Sequence, residues 1–182
     1  MNRQVIHIYG ASGAGVTTLG RYISQRTGFT QLDTDDYFWL PTDPPFTMKR
    51  ETEERVRLMR ERMADGSAVI SGSLTGWGDV LTDSFTLAIR LETDSSLRLK
   101  RLREREYSRF GSRIEEGGDM YKEHVEFINW AAQYDTGGVD MRSRACHDEW
   151  EKLLKCPIIR LCGSDSPEHN YEIIASKTEG LT

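Results

Sequence analysis

Five short apolar runs punctuate the chain, and the stretches between them repeat hydrophobic residues at helical spacing. The first run, Val5–Tyr9, is rich in β-forming residues and is halted by Gly10, which predicts a strand. From Thr17 to about Arg26 the spacing predicts a helix, closed by Gly28 as a C-terminal cap. "FTQLDTDD" predicts a second strand ending in three carboxylates. "WLPTDPPFT" holds three of the five prolines and predicts an ordered loop. From Lys49 to Met63 charge dominates, with Val56, Met59 and Met63 forming the narrow apolar stripe of a surface helix.

"SAVISGSLTGWGD", "FTLAIRLE" and "CPIIRLC" predict the third, fourth and fifth strands. Between the last two lie a basic helix from about Ser95, a glycine-bracketed insert and a helix ending "HDEWEKLLK"; a closing helix is expected around 168–175. Strands alternating with helices imply parallel pairing, because each crossover needs a helix-sized connection. The length, 182 residues, suits one compact α/β domain over 1–182. A net charge of −5 argues against a nucleic-acid or anionic-membrane binder. No apolar run approaches the roughly 20 residues that span a bilayer. The first residues lack the apolar core of a signal peptide, and three cysteines make no disulfide framework, so a cytoplasmic setting is expected. No motif specifies an oligomeric state.

The chemistry starts at "GASGAGVTT". Gly10 to Thr17 fits the phosphate-loop pattern G-x-x-x-x-G-K-[ST] at every defined position except the lysine, where Val16 stands. Glycines let backbone N–H groups turn in around a phosphate, and the following helix adds its positive end. Gly10, Ser12, Gly13, Ala14, Gly15, Val16, Thr17 and Thr18 are therefore the expected nucleotide-binding residues, with the Thr17 hydroxyl placed for Mg²⁺. The rival is a glycine-rich turn without chemistry, although strand, glycines, hydroxyl and helix arrive in the motif's order. The missing lysine ordinarily stabilises charge in phosphoryl transfer, and Val16 cannot. "RLKRLREREYSRFGSR" offers cations in its place: Arg98, Arg101 and Arg105 share a helix face, Arg109 extends it, and "MRSR" adds Arg142 and Arg144. A solvated charged face is the competing reading of that run. If the second strand continues through "DTD", alternation aims Asp33 and Asp35 at one site, at the sheet end where open α/β sheets hold ligands; turn chemistry is the rival.

With these features the chain resembles the nucleoside-monophosphate-kinase-like and shikimate-kinase-like branch of P-loop kinases. It looks more closely like bacterial adenylate-kinase-related proteins sharing a lysine-free "GASG.G", "DTDDYFW", "RFG.RI..GGDMY" and "WA..YD". The resemblance implies a three-layer α/β/α fold with a five-stranded parallel sheet, an acceptor-binding segment at about 36–65 and a mobile helical lid at about 109–143. It implies ATP or another NTP as phosphate donor and a small-molecule acceptor. Thr17 and Asp33 fall in the Mg²⁺ shell, Asp35 becomes the acceptor-facing base, and Gly72 and Ser73 lie beside the acceptor. Arg105, Arg109, Arg142 and Arg144 become the lid cations that answer the missing lysine, with Lys49 and Lys100 as the conceivable lysines. The reading from another class is a nucleotide-dependent sensor or pseudokinase whose Val16 marks lost chemistry.

Other features read as structural. "GGDMYKEHVEFINWAAQYDTGG" predicts a helix capped by Asp119, with Met120, His124, Phe127, Ile128 and Ala131 on its packing face; contact of Trp130 or Tyr134 with a nucleobase is the second reading. Cys146, Cys156 and Cys162 contain no C-x-x-C pair and argue against zinc, and the latter two are expected buried. Trp39 and Trp77 fall on loops expected to flank the acceptor.

Overall fold

The computed structural model describes residues 3–178 of the chain. Five strands form one sheet in the order β2-β3-β1-β4-β5, with every neighbouring pair parallel. They are β1 (Val5–Gly10), β2 (Thr30–Asp33), β3 (Ala68–Ser71), β4 (Leu87–Glu92) and β5 (Ile158–Cys162). The register sets Ile6 opposite Val69 and Leu87, so both neighbours of β1 present their side chains in phase with it.

Period-two alternation then sorts the strands into two cores. Ile6 and Ile8 join Val69, Ile89, Leu91 and Leu161 on one face, under α1 (Val16–Thr27) and α7 (Pro167–Lys177). Val5, Tyr9, Ala68 and Ile70 point to the other face, where α3 (Thr52–Ala64) lays down Val56, Met59 and Met63 and α6 (Arg144–Glu151) lays down Trp150. The result is the expected three-layer α/β/α arrangement. A separate small cluster joins α4 (Ser95–Phe110) to α5 (Tyr121–Ala132) through Leu102, Ile128 and Ala131, with Phe127 and Trp130 packed alongside.

Several expectations shift. The second strand stops at Asp33 because that carboxylate accepts the backbone N–H of Asp35 at 3.1 Å and caps a short helix, α2 (Thr34–Phe38). Asp33 and Asp35 are thus neighbours across a helix start, not alternate residues of one strand. Met120, not Asp119, stands at the N-cap of α5, and Asp119 pairs with Arg113 at 2.7 Å. Cys162 is exposed, since β5 is an edge strand whose alternate residues face outward, and Cys156, ahead of that strand, is half-buried against the core under α3 and α6. Trp77 is buried in the second core, its indole N–H donating to the Ser73 carbonyl at 3.1 Å. Among the described residues no helix is long and apolar enough to cross a membrane.

His7 and His147 lie in the second layer without any solvent exposure. His7 stacks on Tyr9 with ring centroids 5.3 Å apart, and Tyr9 meets His147 edge-on at 5.3 Å. Burial lowers His7 to about 4 and His147 to about 3, with the Arg142 and Arg90 charges lowering the latter further. Both are neutral in the fold and bind protons readily once unfolded. Their contribution is therefore present above the unfolded value of about 6.5 and lost as pH falls from there toward 4 and 3. Urea unfolding between pH 7 and 4.5 should show stability falling with a slope of up to about 1.4 kcal/mol per pH unit from each histidine. In His147→Phe the slope should shrink by its share; an unchanged slope would show that His147 does not titrate on unfolding.

Candidate functional site

The C-terminal edge of the sheet gathers the site. Residues 11–15 leave β1 and turn into α1 through two left-handed glycines, Gly13 at φ 80° and Gly15 at φ 102°. An L side chain is strained at both. At Gly13 a Cβ would also stand 2.6 Å from the Arg98 carbonyl oxygen, so α4 presses directly on the loop. The Ala14 N–H donates to the Ala11 carbonyl at 3.0 Å, and the Thr93 hydroxyl donates to the Ala14 carbonyl at 3.1 Å. The loop is a preformed backbone nest at a helix N-terminus, the geometry that receives phosphate.

Thr17 donates its hydroxyl to Asp33 at 2.9 Å, which brings the two expected metal-shell residues together. One hydroxyl and one carboxylate form an all-oxygen set suited to a hard cation. Among the described residues no group of three or more His, Cys, Asp or Glu could enclose a metal. The hydroxyl–carboxylate pair itself fits Mg²⁺, which keeps waters and takes phosphate oxygens to complete its shell. Val16 packs at the edge of the first core, so an apolar contact occupies the lysine position. Neither Lys49, which lies 5.8 Å over the Phe38 ring, nor Lys100, which faces Glu104 at 3.9 Å, contacts the loop.

An arginine does. Arg142 donates to the Ser12 hydroxyl at 3.4 Å, and its guanidinium lies 5.3 Å over the Trp130 ring. It forms no ion pair with any described residue. Burial lowers its pKa, opposed by the nearby Asp35 charge. Asp35 remains open to solvent, yet the protein packed around it raises its carboxyl above the usual range. Asp33 adds to that rise, while Arg142 and Arg105 oppose it. Asp33, Asp35, Arg105 and Arg142 therefore share one electrostatic neighbourhood beside the loop.

The other arginines differ from Arg142 in their partners. Arg105 pairs with Glu106 at 3.2 Å, and Arg109 is exposed on the last turn of α4. Arg144 pairs with Asp135 at 2.7 Å and with Glu92 at 3.6 Å. Arg98 is fully buried and gives one N–H to the Ser12 carbonyl at 3.4 Å. Trp130 faces Arg142, and Tyr134 bonds His147 at 2.9 Å beneath Arg98, so both aromatics serve side chains of the protein. Gly72 lies so close to Thr34 that a Cβ would meet its hydroxyl, and the Ser73 and Thr75 hydroxyls pair at 2.8 Å.

On the far side of the loop a cleft of about 220 Å³ is lined by Gly15, Thr18, Arg101, Asp165, Pro167 and Asn170, among others. Arg101 reaches the Gly163 carbonyl across it at 2.9 Å. Sequence reasoning put Arg101 on the basic face but missed Asp165 and Asn170, which no motif marks. At the opposite end, Arg113 bridges Asp43 at 2.8 Å and Phe46 meets Phe110 at 6.5 Å, so the proline-rich loop touches the insert.

A family model described as an AAA domain matches residues 6–126. An uncharacterised protein of Bacillus subtilis, YqaC, is 42% identical over 157 residues, covering 86% of each chain. Shikimate kinase from Acinetobacter baumannii, solved with shikimate, superposes with a TM-score of 0.56 at 15% identity, covering 98% of this chain and 96% of its own. An uncharacterised protein from Eubacterium ventriosum superposes at 0.52 with 13% identity, covering 98% and 99%. These likenesses match the five-stranded parallel architecture.

Carbon-13 NMR titration of the carboxylates tests the electrostatics. Asp35 should titrate above the ordinary 3.8. Asp33→Asn should lower its midpoint and Arg142→Ala should raise it, because one removes a like charge and the other an opposite one. A midpoint indifferent to both changes would separate Asp35 from this neighbourhood.

Proposed function

We propose, from the premise that the chain belongs to the AAA-domain family and carries a P-loop kinase-like fold, that it is an ATP-type, Mg²⁺-dependent phosphotransferase acting on a small acceptor. The observation that carries this reading is Arg142 on Ser12, an ion-pair-free cation at the loop that lacks its lysine. Nucleotide phosphates would lie in the nest at 10–17, with the base in the cleft lined by Arg101 and Pro167. Thr17 and Asp33 would hold Mg²⁺, which when bound neutralises phosphate charge.

The protein's own groups divide the remaining work. Asp35, with its raised carboxyl pKa, is positioned to take the proton of an acceptor hydroxyl. Its base form becomes the major one above that raised value, so activity should rise with pH through it. Arg142 supplies positive charge where the transferred group becomes more negative, the role an arginine finger plays. Backbone N–H groups of the loop orient the phosphates at no cost in side-chain entropy. The non-catalytic reading has one observation in its favour, the apolar packing of Val16. A sensor would bind nucleotide through the same nest and transfer nothing.

Calorimetry with ATP, with and without Mg²⁺, beside a product assay over nucleosides, nucleotides and sugars separates the two. Arg142→Ala should reduce phosphoryl transfer by about 10³-fold with a smaller effect on ATP affinity. Val16→Lys should add little, because a cation already serves the loop. A large gain from Val16→Lys with Arg142→Ala inert would favour the sensor reading. Thr17→Ala should weaken binding of Mg²⁺-ATP more than of metal-free ATP; equal losses would reduce Thr17 to a structural hydroxyl.

A further inference from the structure

Arg142 lies in a loop, and a loop arginine is useful only if something holds it. The segment between α5 and α6 covers residues 133–143, and Asp135 near its start is joined to Arg144, the first residue of α6, by a 2.7 Å ion pair. Within it, the buried Ser143 donates its hydroxyl to the Gly138 carbonyl at 2.6 Å and accepts the Cys146 N–H at 2.9 Å. Met141 folds back over Gly137, where a Cβ would meet its sulfur at 2.6 Å.

The closed loop is anchored. The second oxygen of Asp135 accepts from Arg98 at 2.9 Å. Arg98 also donates to the Thr93 carbonyl at 3.1 Å and to the Ala131 and Ser12 carbonyls at 3.4 Å, over the Tyr134 ring. One phosphate-loop residue, Ser12, thus receives Arg98 at its carbonyl and Arg142 at its hydroxyl.

We propose that Asp135 and Arg144 are positioning residues: together they clamp the 135–144 loop onto Arg98 and hold Arg142 over the phosphate loop before nucleotide arrives. Arg144 therefore acts through Arg142 and not on the phosphates, and the cation is built in where a mobile lid would have to deliver it. The assignment rests on the catalytic reading of Arg142, and the experiment keeps the two apart.

Arg144→Met breaks the clamp at an exposed residue and leaves Arg98 paired with Asp135. In full-length protein it should lower kcat by about 10-fold with KM for ATP changed less than threefold, and Arg144→Lys, which can still reach Asp135, should restore most of the rate. In an Arg142→Ala background the same Arg144→Met change should lower kcat less than twofold. Hydrogen exchange of nucleotide-free protein should show the 136–143 amides exchanging faster in Arg144→Met, with the sheet unchanged. A full 10-fold loss that persists without Arg142, or 136–143 amides that exchange as in the parent protein, would overturn the clamp. If Arg142→Ala leaves kcat intact, the catalytic reading fails, and the exchange rates still decide whether Asp135 and Arg144 order the loop.

Discussion

A buried guanidinium with nowhere to go but inward organises this site. Arg98 has no solvent exposure, so its charge is tolerable only with its donors satisfied and a carboxylate beside it. Three backbone carbonyls and Asp135 meet that demand, and they come from the phosphate loop, the end of β4, the end of α5 and the turn beyond it. Satisfying one cation thus fixes the relative positions of four chain segments. Removing Asp135 would leave an unpaired buried charge, commonly a loss of several kcal/mol.

The outer strands and helices follow from simpler rules. Alternation within β1 splits Ile6 and Ile8 from Val5 and Tyr9 and so dictates two cores and three layers. That part was legible because hydrophobic period and glycine punctuation are local signals. The phosphate loop was legible for the same reason: its glycines must take φ values that other residues avoid. Asp33 lies beside Thr17, but the strand alternation expected to pair it with Asp35 does not extend that far. Its carboxylate prefers to cap a helix, a competition that the strand pattern does not reveal.

What stayed hidden was the partnership of arginines. Arg98, Arg101, Arg105 and Arg109 look alike in sequence, yet one is entombed, one spans a cleft, one pairs with its neighbour and one faces water. Charge runs do not encode which member finds a carboxylate, because the partners arrive from distant segments. A signal did exist in "WA..YD". Trp130 faces Arg142, the Ala131 carbonyl and Asp135 bind Arg98, and Tyr134 lies under it. Each residue spelled out in that motif touches a guanidinium beside the phosphate loop.

Val16 has a consequence for reagents as well as for rate. A phosphate-loop lysine is a primary amine poised beside the triphosphate, and acylating nucleotide analogues exploit it by forming an amide there. This loop offers a hydrocarbon branch packed against the sheet at that position, and its nearby cation, Arg142, is a guanidinium that reaches Ser12. A guanidinium stays protonated and carries no free lone pair for acylation. Amine-directed nucleotide probes would therefore find no lysine to acylate at this position of the loop.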